Sequence, residues 1–235
     1  SSNFSKSLMS IENSAFWYCS SLNNIMLPDS LLSIGGGAFS GCRSLNSVRL
    51  PDPINLIEGY TFSGCTSLSS VMLPESLTSI NNYAFSECSS LKDITFPESL
   101  TSIGDYAFSK CSSLNNITFP DSLTAIGSYA FLKCTNLNNV RLPQKVVSIS
   151  NNIFAECKKL TNVYIQNGTV SIEDYAFLYC PLVNLTLPLS IQKIDPSVIS
   201  YELLNLYYEG SEEQWKKLYV NNDWLEEAVR QMEQN

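Results

Sequence analysis

Residues 111–131 read CSSLNNITFPDSLTAIGSYAF, and this stretch decides the architecture because the chain rewrites it again and again. Cysteines stand at 19, 42, 65, 88, 111, 134, 157 and 180, each 23 residues after the last, and phenylalanines at 16, 39, 62, 85, 108, 131, 154 and 177 keep the same step. Two residue types sharing one period through eight copies define a repeat. Counted from each Cys, Leu follows at three positions (Leu22, Leu45, Leu68, Leu91, Leu114, Leu137, Leu160), Ile or Val at six, an apolar residue at eight and, in most copies, Pro at nine. In the quoted copy Ile117 and Phe119 sit two apart, which places them on one face of a short strand. Pro120 then ends the strand, because it has no N–H to donate. SLTAI forms a second short strand, and the segment to the next AFxxC a compact turn or a single helical turn.

No such unit can bury its apolar face alone, so successive units must stack around one continuous core. A period of 20 to 29 residues with regular leucines marks a leucine-rich-repeat solenoid. The expected fold class is an α/β solenoid, a right-handed superhelix of 23-residue repeats with short parallel strands and a C-terminal helical cap. The solenoid is expected over 1–200, about eight units with the first entered midway, and the terminal strand and cap over 201–235. At a strand spacing of about 4.8 Å the array is roughly 40 Å long.

Departures from the pattern are informative. Gln166-Asn167-Gly168 stands where Pro is expected, and Asn-Gly turns the chain by accepting positive φ. After Cys180 the unit is one residue short, and Ile194, Val198 and Ile199 close a degenerate copy without Phe or Cys. LLNLYYEG then offers a last strand. Ser211-Glu212-Glu213-Gln214 has the form of a capping box, with Trp215 and Leu218 on the apolar face of the helix that follows. Asp223-Trp224-Leu225-Glu226 repeats that logic for a second helix. Together these are expected to cover the open end of the core.

Composition narrows the function. Leu (29), Ser (36) and Asn (22) supply 87 of 235 residues, while charged residues are only 15%, so the polar surface is mostly uncharged. There is no histidine, which removes Ser-His-Asp and Cys-His catalysis and His-ligated metals. A net charge of −8 gives nucleic-acid binding no electrostatic basis. No apolar run approaches the ~20 residues of a membrane span, and SSNFSKSLMS has neither the basic nor the apolar region of a signal peptide.

The unit LxxIxLPxSLxxIxxxAFxxC resembles the BspA-like leucine-rich repeats of bacterial and some protist surface proteins, and LYYEGSEEQWKKL resembles their terminal segment. The likeness runs from about Leu8 to Leu218. It implies a secreted or cell-surface protein that mediates adhesion and binds host matrix or cell-surface proteins, since family members of known function are adhesins. Nothing in the spacing itself implies this.

In an extracellular protein eight cysteines suggest four disulfides. One Cys per turn at constant phase argues otherwise: the Cβ vectors are parallel, and the thiols are expected to be free and buried. A column of thiols without a CxxC pair also offers no zinc site. Tyr60, Tyr83, Tyr106, Tyr129 and Tyr175, each two residues before a Phe, are expected to pack on one another near the surface. The residues flanking the inward strand positions face outward on the concave sheet, and they form the candidate partner-binding stripe: Asn24, Met26, Arg49, Met72, Asp93, Asn116, Asn139, Arg141, Asn162 and Tyr164. The reading is a monomeric, non-enzymatic scaffold for protein recognition with no cofactor, no catalytic or metal site, no nucleic-acid partner and no membrane insertion in this segment. The alternative is a carbohydrate-binding surface module, against which stands the single exposed aromatic, Tyr164, in the stripe.

Overall fold

The computed structural model describes residues 2–3, 6–198 and 203–220, and within them the chain is a parallel-strand solenoid of about eight turns closed by one short C-terminal helix. Strands pair in parallel with their counterparts in neighbouring units, in ladders that are interrupted between Ile25–Met26 and Ser47–Arg49, between Ser33–Ile34 and Leu56–Ile57, and between Ala125–Ile126 and Ser148–Ile149. Ser47–Arg49 lies against Ser70–Met72, Asn139–Leu142 against Asn162–Ile165, and that strand against Asn184–Leu187. The register step is 23 residues until the last units, where Asn162 pairs with Asn184 and Ser171 with Lys193, as the deletion after Cys180 requires. Ser2–Asn3 pairs with Ile25–Met26, so a strand precedes Ile11 in the unit that holds Cys19. The second row consists of two-residue strands such as Ser102–Ile103 and Ala125–Ile126, each exposing the first residue, fully or in part, and burying the Ile.

NNITF, the clearest strand in the sequence, carries only an isolated bridge between Asp93 and Asn116. Here Phe96 and Phe119 replace the Leu or Ile of other units. Their rings stack 6.0 Å apart and stand edge-on to Phe108 and Phe131. That step exceeds the ~4.8 Å of a strand ladder, and the ladder lapses where the wider rings fill the core.

Between the rows each unit turns without forming an α-helix. Ala107, Ser109 and Cys111 donate to the carbonyls of Gly104, Tyr106 and Phe108, three residues earlier. Two residues per turn take positive φ. One column runs Ser14, Gly37, Tyr60, Tyr83, Tyr106, Tyr129, Asn152, Tyr175 and the other Tyr18, Gly41, Gly64, Glu87, Lys110, Lys133, Glu156, Tyr179. A non-glycine residue pays roughly 1–2 kcal/mol for this conformation. It turns N–H groups toward the next unit: Tyr83 donates to the Asp105 carbonyl at 2.9 Å and Lys110 to that of Leu132 at 2.6 Å.

The core is a set of columns. Phe rings from Phe16 to Phe177 stack at 5.2–5.9 Å, nearly parallel. All eight cysteines are free; seven are buried and Cys19 is exposed, which corrects the expectation that all eight point into the core. Each buried thiol donates to the carbonyl of a Phe in the preceding turn, from Cys42 to Phe16 through Cys180 to Phe154, at 3.0–3.3 Å.

The strand Asn205–Tyr208 continues the sheet beyond Asn184–Leu187. Ser211 and Gln214 make both bonds of the capping box: Ser211 N–H donates to Gln214 Oε1 at 2.8 Å and Gln214 N–H to Ser211 Oγ at 3.3 Å. The helix Glu212–Val220 then lays Leu218 and Trp215 on the core, with Trp215 against Tyr208. Leu203, rather than the exposed Leu204, turns inward. The expected second helix from Asp223 lies outside the described residues.

Candidate functional site: the outward strand face

Alternation along each strand sends one set of side chains to the core and the other out. Val140, Val163 and Leu185 are buried, while the residues on either side of each are exposed or half-exposed. All ten candidate residues lie on this outward face. The structure does not bring them together as one site. Asn116, Asn139, Arg141, Asn162 and Tyr164 line a single open hollow of about 810 Å³ with Asn184, Thr186 and Tyr207. Asn24, Met26, Arg49, Met72 and Asp93 lie outside it, on earlier turns.

The floor of the hollow is an amide ladder. Asn162 Nδ2 donates to Asn139 Oδ1 at 2.7 Å, Asn184 to Asn162 at 2.5 Å and Asn205 to Asn184 at 2.8 Å. Asn recurs at the strand spacing in these last units, so the amides meet from Asn139 onward, while Asn139 Nδ2 and Asn116 Nδ2 donate within their own units to Asn138 and Asn115. Arg141 stands over the Tyr164 ring with its guanidinium carbon 4.4 Å from the centroid, and its Nη2 donates to Gln166 Oε1 at 3.2 Å. Tyr164 donates its hydroxyl to Glu209 at 2.9 Å, and that bond is the main reason its pKa lies above the ordinary phenol value. Tyr207, two residues upstream of Glu209, is exposed on the same face. Arg49 instead pairs with Asp29 at 2.9 Å.

Tyr207 and Glu209 escaped the sequence reading. The signal was available: Leu206 and Tyr208 turn toward the core, so Tyr207 must turn out, as Tyr164 does. The face also carries two aromatics, Tyr164 and Tyr207, where the sequence stripe showed one.

Among the described residues no group of three acidic, Cys or His side chains is placed to hold a metal ion, and no helix is long and apolar enough to cross a membrane. Burial pushes the Cys65 thiol up to about 12, so it stays protonated and is no nucleophile.

The sequence matches the model of the BspA type leucine rich repeat region, with 6 copies, over residues 1–101 and 78–205. No curated protein sequence matches it. Among solved structures it is similar to the leucine-rich-repeat protein TpLRR of T. pallidum (28% identity, covering 92% of this chain and 84% of that one, TM-score 0.59). It is also similar to a leucine-rich-repeat protein of Bacteroides ovatus (27% identity, 87% and 68%, TM-score 0.59). The pneumococcal vaccine antigen PcpA shares the fold at 22% identity, with 86% and 60% covered and a TM-score of 0.57.

Proposed function

The chain belongs to the BspA-type leucine-rich-repeat family, and on that premise we propose that it is a non-enzymatic recognition scaffold, displayed at the cell surface or secreted, that binds an extended stretch of a partner protein. The carrying observation is the hollow on the strand face, where Arg141, Tyr164 and Tyr207 stand above a rigid amide ladder. Arg and Tyr are the side chains that most often dominate binding energy at interfaces. A partner lying across the strands meets donors and acceptors at each ~4.8 Å step. The adhesive, extracellular role is supported by the known roles of family members, and the partner class is a host matrix or cell-surface protein.

The test is binding of the parent and an Arg141→Ala, Tyr164→Ala, Tyr207→Ala triple variant to a panel of extracellular-matrix proteins by surface plasmon resonance. Loss of one such anchor costs at least about 2 kcal/mol, or some thirtyfold in affinity. Undiminished binding by a variant with the parent's circular dichroism would move the site off this face.

One observation favours a second reading. Asn139, Asn162 and Asn184, beside the half-buried Tyr164 and the exposed Tyr207, also present the amides and an open ring that hold a sugar. Saturable binding on a glycan array, with none to matrix proteins, would select a carbohydrate-binding surface.

A further inference from the structure

Along the turn edge, away from the outward strand face, Tyr60, Tyr83, Tyr106 and Tyr129 stack face to face at 4.6–4.7 Å with ring planes within 5°. At its N-terminal end the column stops at Tyr60 because the preceding unit has Gly37 at that phase and the one before that Ser14. Gly37 is not demanded by the backbone. Its φ is 64°, and Tyr60 at the same phase has 60°. A Cβ at Gly37 would meet only Ser14 Oγ at 3.5 Å and Ser40 Cβ at 4.0 Å, which are ordinary contacts. A side chain has room here, and glycine leaves the room empty.

The result is an open hollow of about 680 Å³, lined by Tyr60, Trp17, Glu58, Asn13 and the backbone of Gly36 and Gly37. Tyr60 is half-exposed and Trp17 largely so. A second hollow adjoins it through Asn13 and Glu58 and adds Glu12. No Lys or Arg lines either one, and neither Glu12 nor Glu58 joins an ion pair among the described residues. Glu58 Oε2 accepts from Asn81 Nδ2 at 3.0 Å, which holds the carboxylate in place beside the hollow and leaves Oε1 for another donor.

We propose that this hollow binds a guanidinium group, the arginine side chain of a partner polypeptide, which takes the place of the missing fifth ring on the tyrosine stack. The ring face of Tyr60, about 4.6 Å from that place by the step of its own column, attracts a cation within ~6 Å of its centroid. A flat guanidinium satisfies the stack, and its five donors suit a carboxylate beside a cluster of Asn and Ser oxygens. An ammonium offers the charge without the plane. A sugar or neutral aromatic ring offers the plane but leaves Glu12 and Glu58 uncompensated. The site is on a different edge from the strand face and stands independently of the function proposed there.

The test is a two-dimensional NMR titration of the full chain with the blocked peptide Gly-Arg-Gly, using Gly-Lys-Gly and glucose as controls. The expected result is saturable shifts of the Gly36, Gly37 and Gly59 amides and the Trp17 indole at millimolar Gly-Arg-Gly, with at least fivefold weaker binding of Gly-Lys-Gly. Gly37→Tyr, which completes the stack, should abolish the shifts while keeping the parent's circular dichroism; Glu58→Gln should weaken them severalfold. Should Gly37→Tyr fail to fold, Trp17→Ala removes an exposed ring and should still weaken binding. Overturning results are no saturable shift by 50 mM peptide, equal response to all three probes, or full binding by a folded Gly37→Tyr.

Discussion

The buried thiol column shows at the scale of one residue what a repeat does with chemistry. A Cys inside the turn is a small apolar side chain that also donates a hydrogen bond to the unit before it, so it links neighbours that a Val could only touch. Removal from water raises the pKa of Cys42 to about 11 and of Cys65 to about 12, and lifts Cys88, Cys134 and Cys157 well above the usual thiol range. In the unfolded chain these groups ionise near 8.5. The folded pKa is the higher one, so below about pH 8.5 both states keep the proton and stability is unaffected. Above it the unfolded state loses protons that the native state retains, and stability falls by up to about 1.4 kcal/mol per pH unit for each thiol until the folded pKa is reached. The melting temperature is expected to be flat from pH 6 to 8 and to drop steeply between pH 9 and 11. A flat profile to pH 11 would refute the buried-thiol account. With a thiol reagent at pH 8, only the exposed Cys19 should react in the native state, and eight thiols in denaturant.

At the scale of the element, phase was legible and detail was not. Cys, Phe and Leu columns follow from a period of 23, because only a constant phase lets identical side chains meet across every interface. What stayed hidden depended on exchange between backbone and side chain. The abundance of Ser is one case. Ser76, Ser99 and Ser122, each just before a buried Leu, donate to the carbonyls of Ile54, Leu77 and Leu100 in the preceding turn at 2.6–2.8 Å. Composition alone reads them as polar surface. The positive φ of Glu87, Lys110 and Lys133 is another, since these residues have no preference for it and the interlocking turns impose it. Ser99→Ala should therefore cost about 1 kcal/mol by orphaning a carbonyl, a fall of roughly 2–4 °C in a domain of this size. Ser70→Ala, on the exposed sheet face, should stay within about 0.5 kcal/mol. Equal effects in thermal unfolding would deny the serine its linking role. The strand-face site was half legible: alternation fixed which residues face out, but which of them share a hollow depended on Tyr207 in the last strand and on Glu209 just after it, which holds Tyr164.

For the whole molecule, stability in a stacked array is a sum over interfaces between neighbours, and an end without a neighbour is its weak point. The C-terminal end is closed by the strand Asn205–Tyr208 and the helix Glu212–Val220, which set Leu203, Leu206, Tyr208, Trp215 and Leu218 on the last unit. Beneath them Leu182, Leu185 and Leu187 are fully buried. Truncation after Ile194 would open these three to water on one side, and full exposure of each such side chain costs about 1.5–3 kcal/mol. The sum rivals the 5–15 kcal/mol that holds an ordinary domain folded. It also leaves the edge of Asn184–Leu187 unpaired, a template for association. The truncated chain is expected to aggregate, or to melt more than 10 °C below the parent in a scan that follows light scattering as well as circular dichroism. Leu218→Ala, which opens a cavity under the helix without removing it, should cost about 2–5 kcal/mol and leave the protein monomeric. A truncated chain that stays a soluble monomer and melts at the parent's temperature would show that the core closes on its own last repeat and that the helix is an appendage.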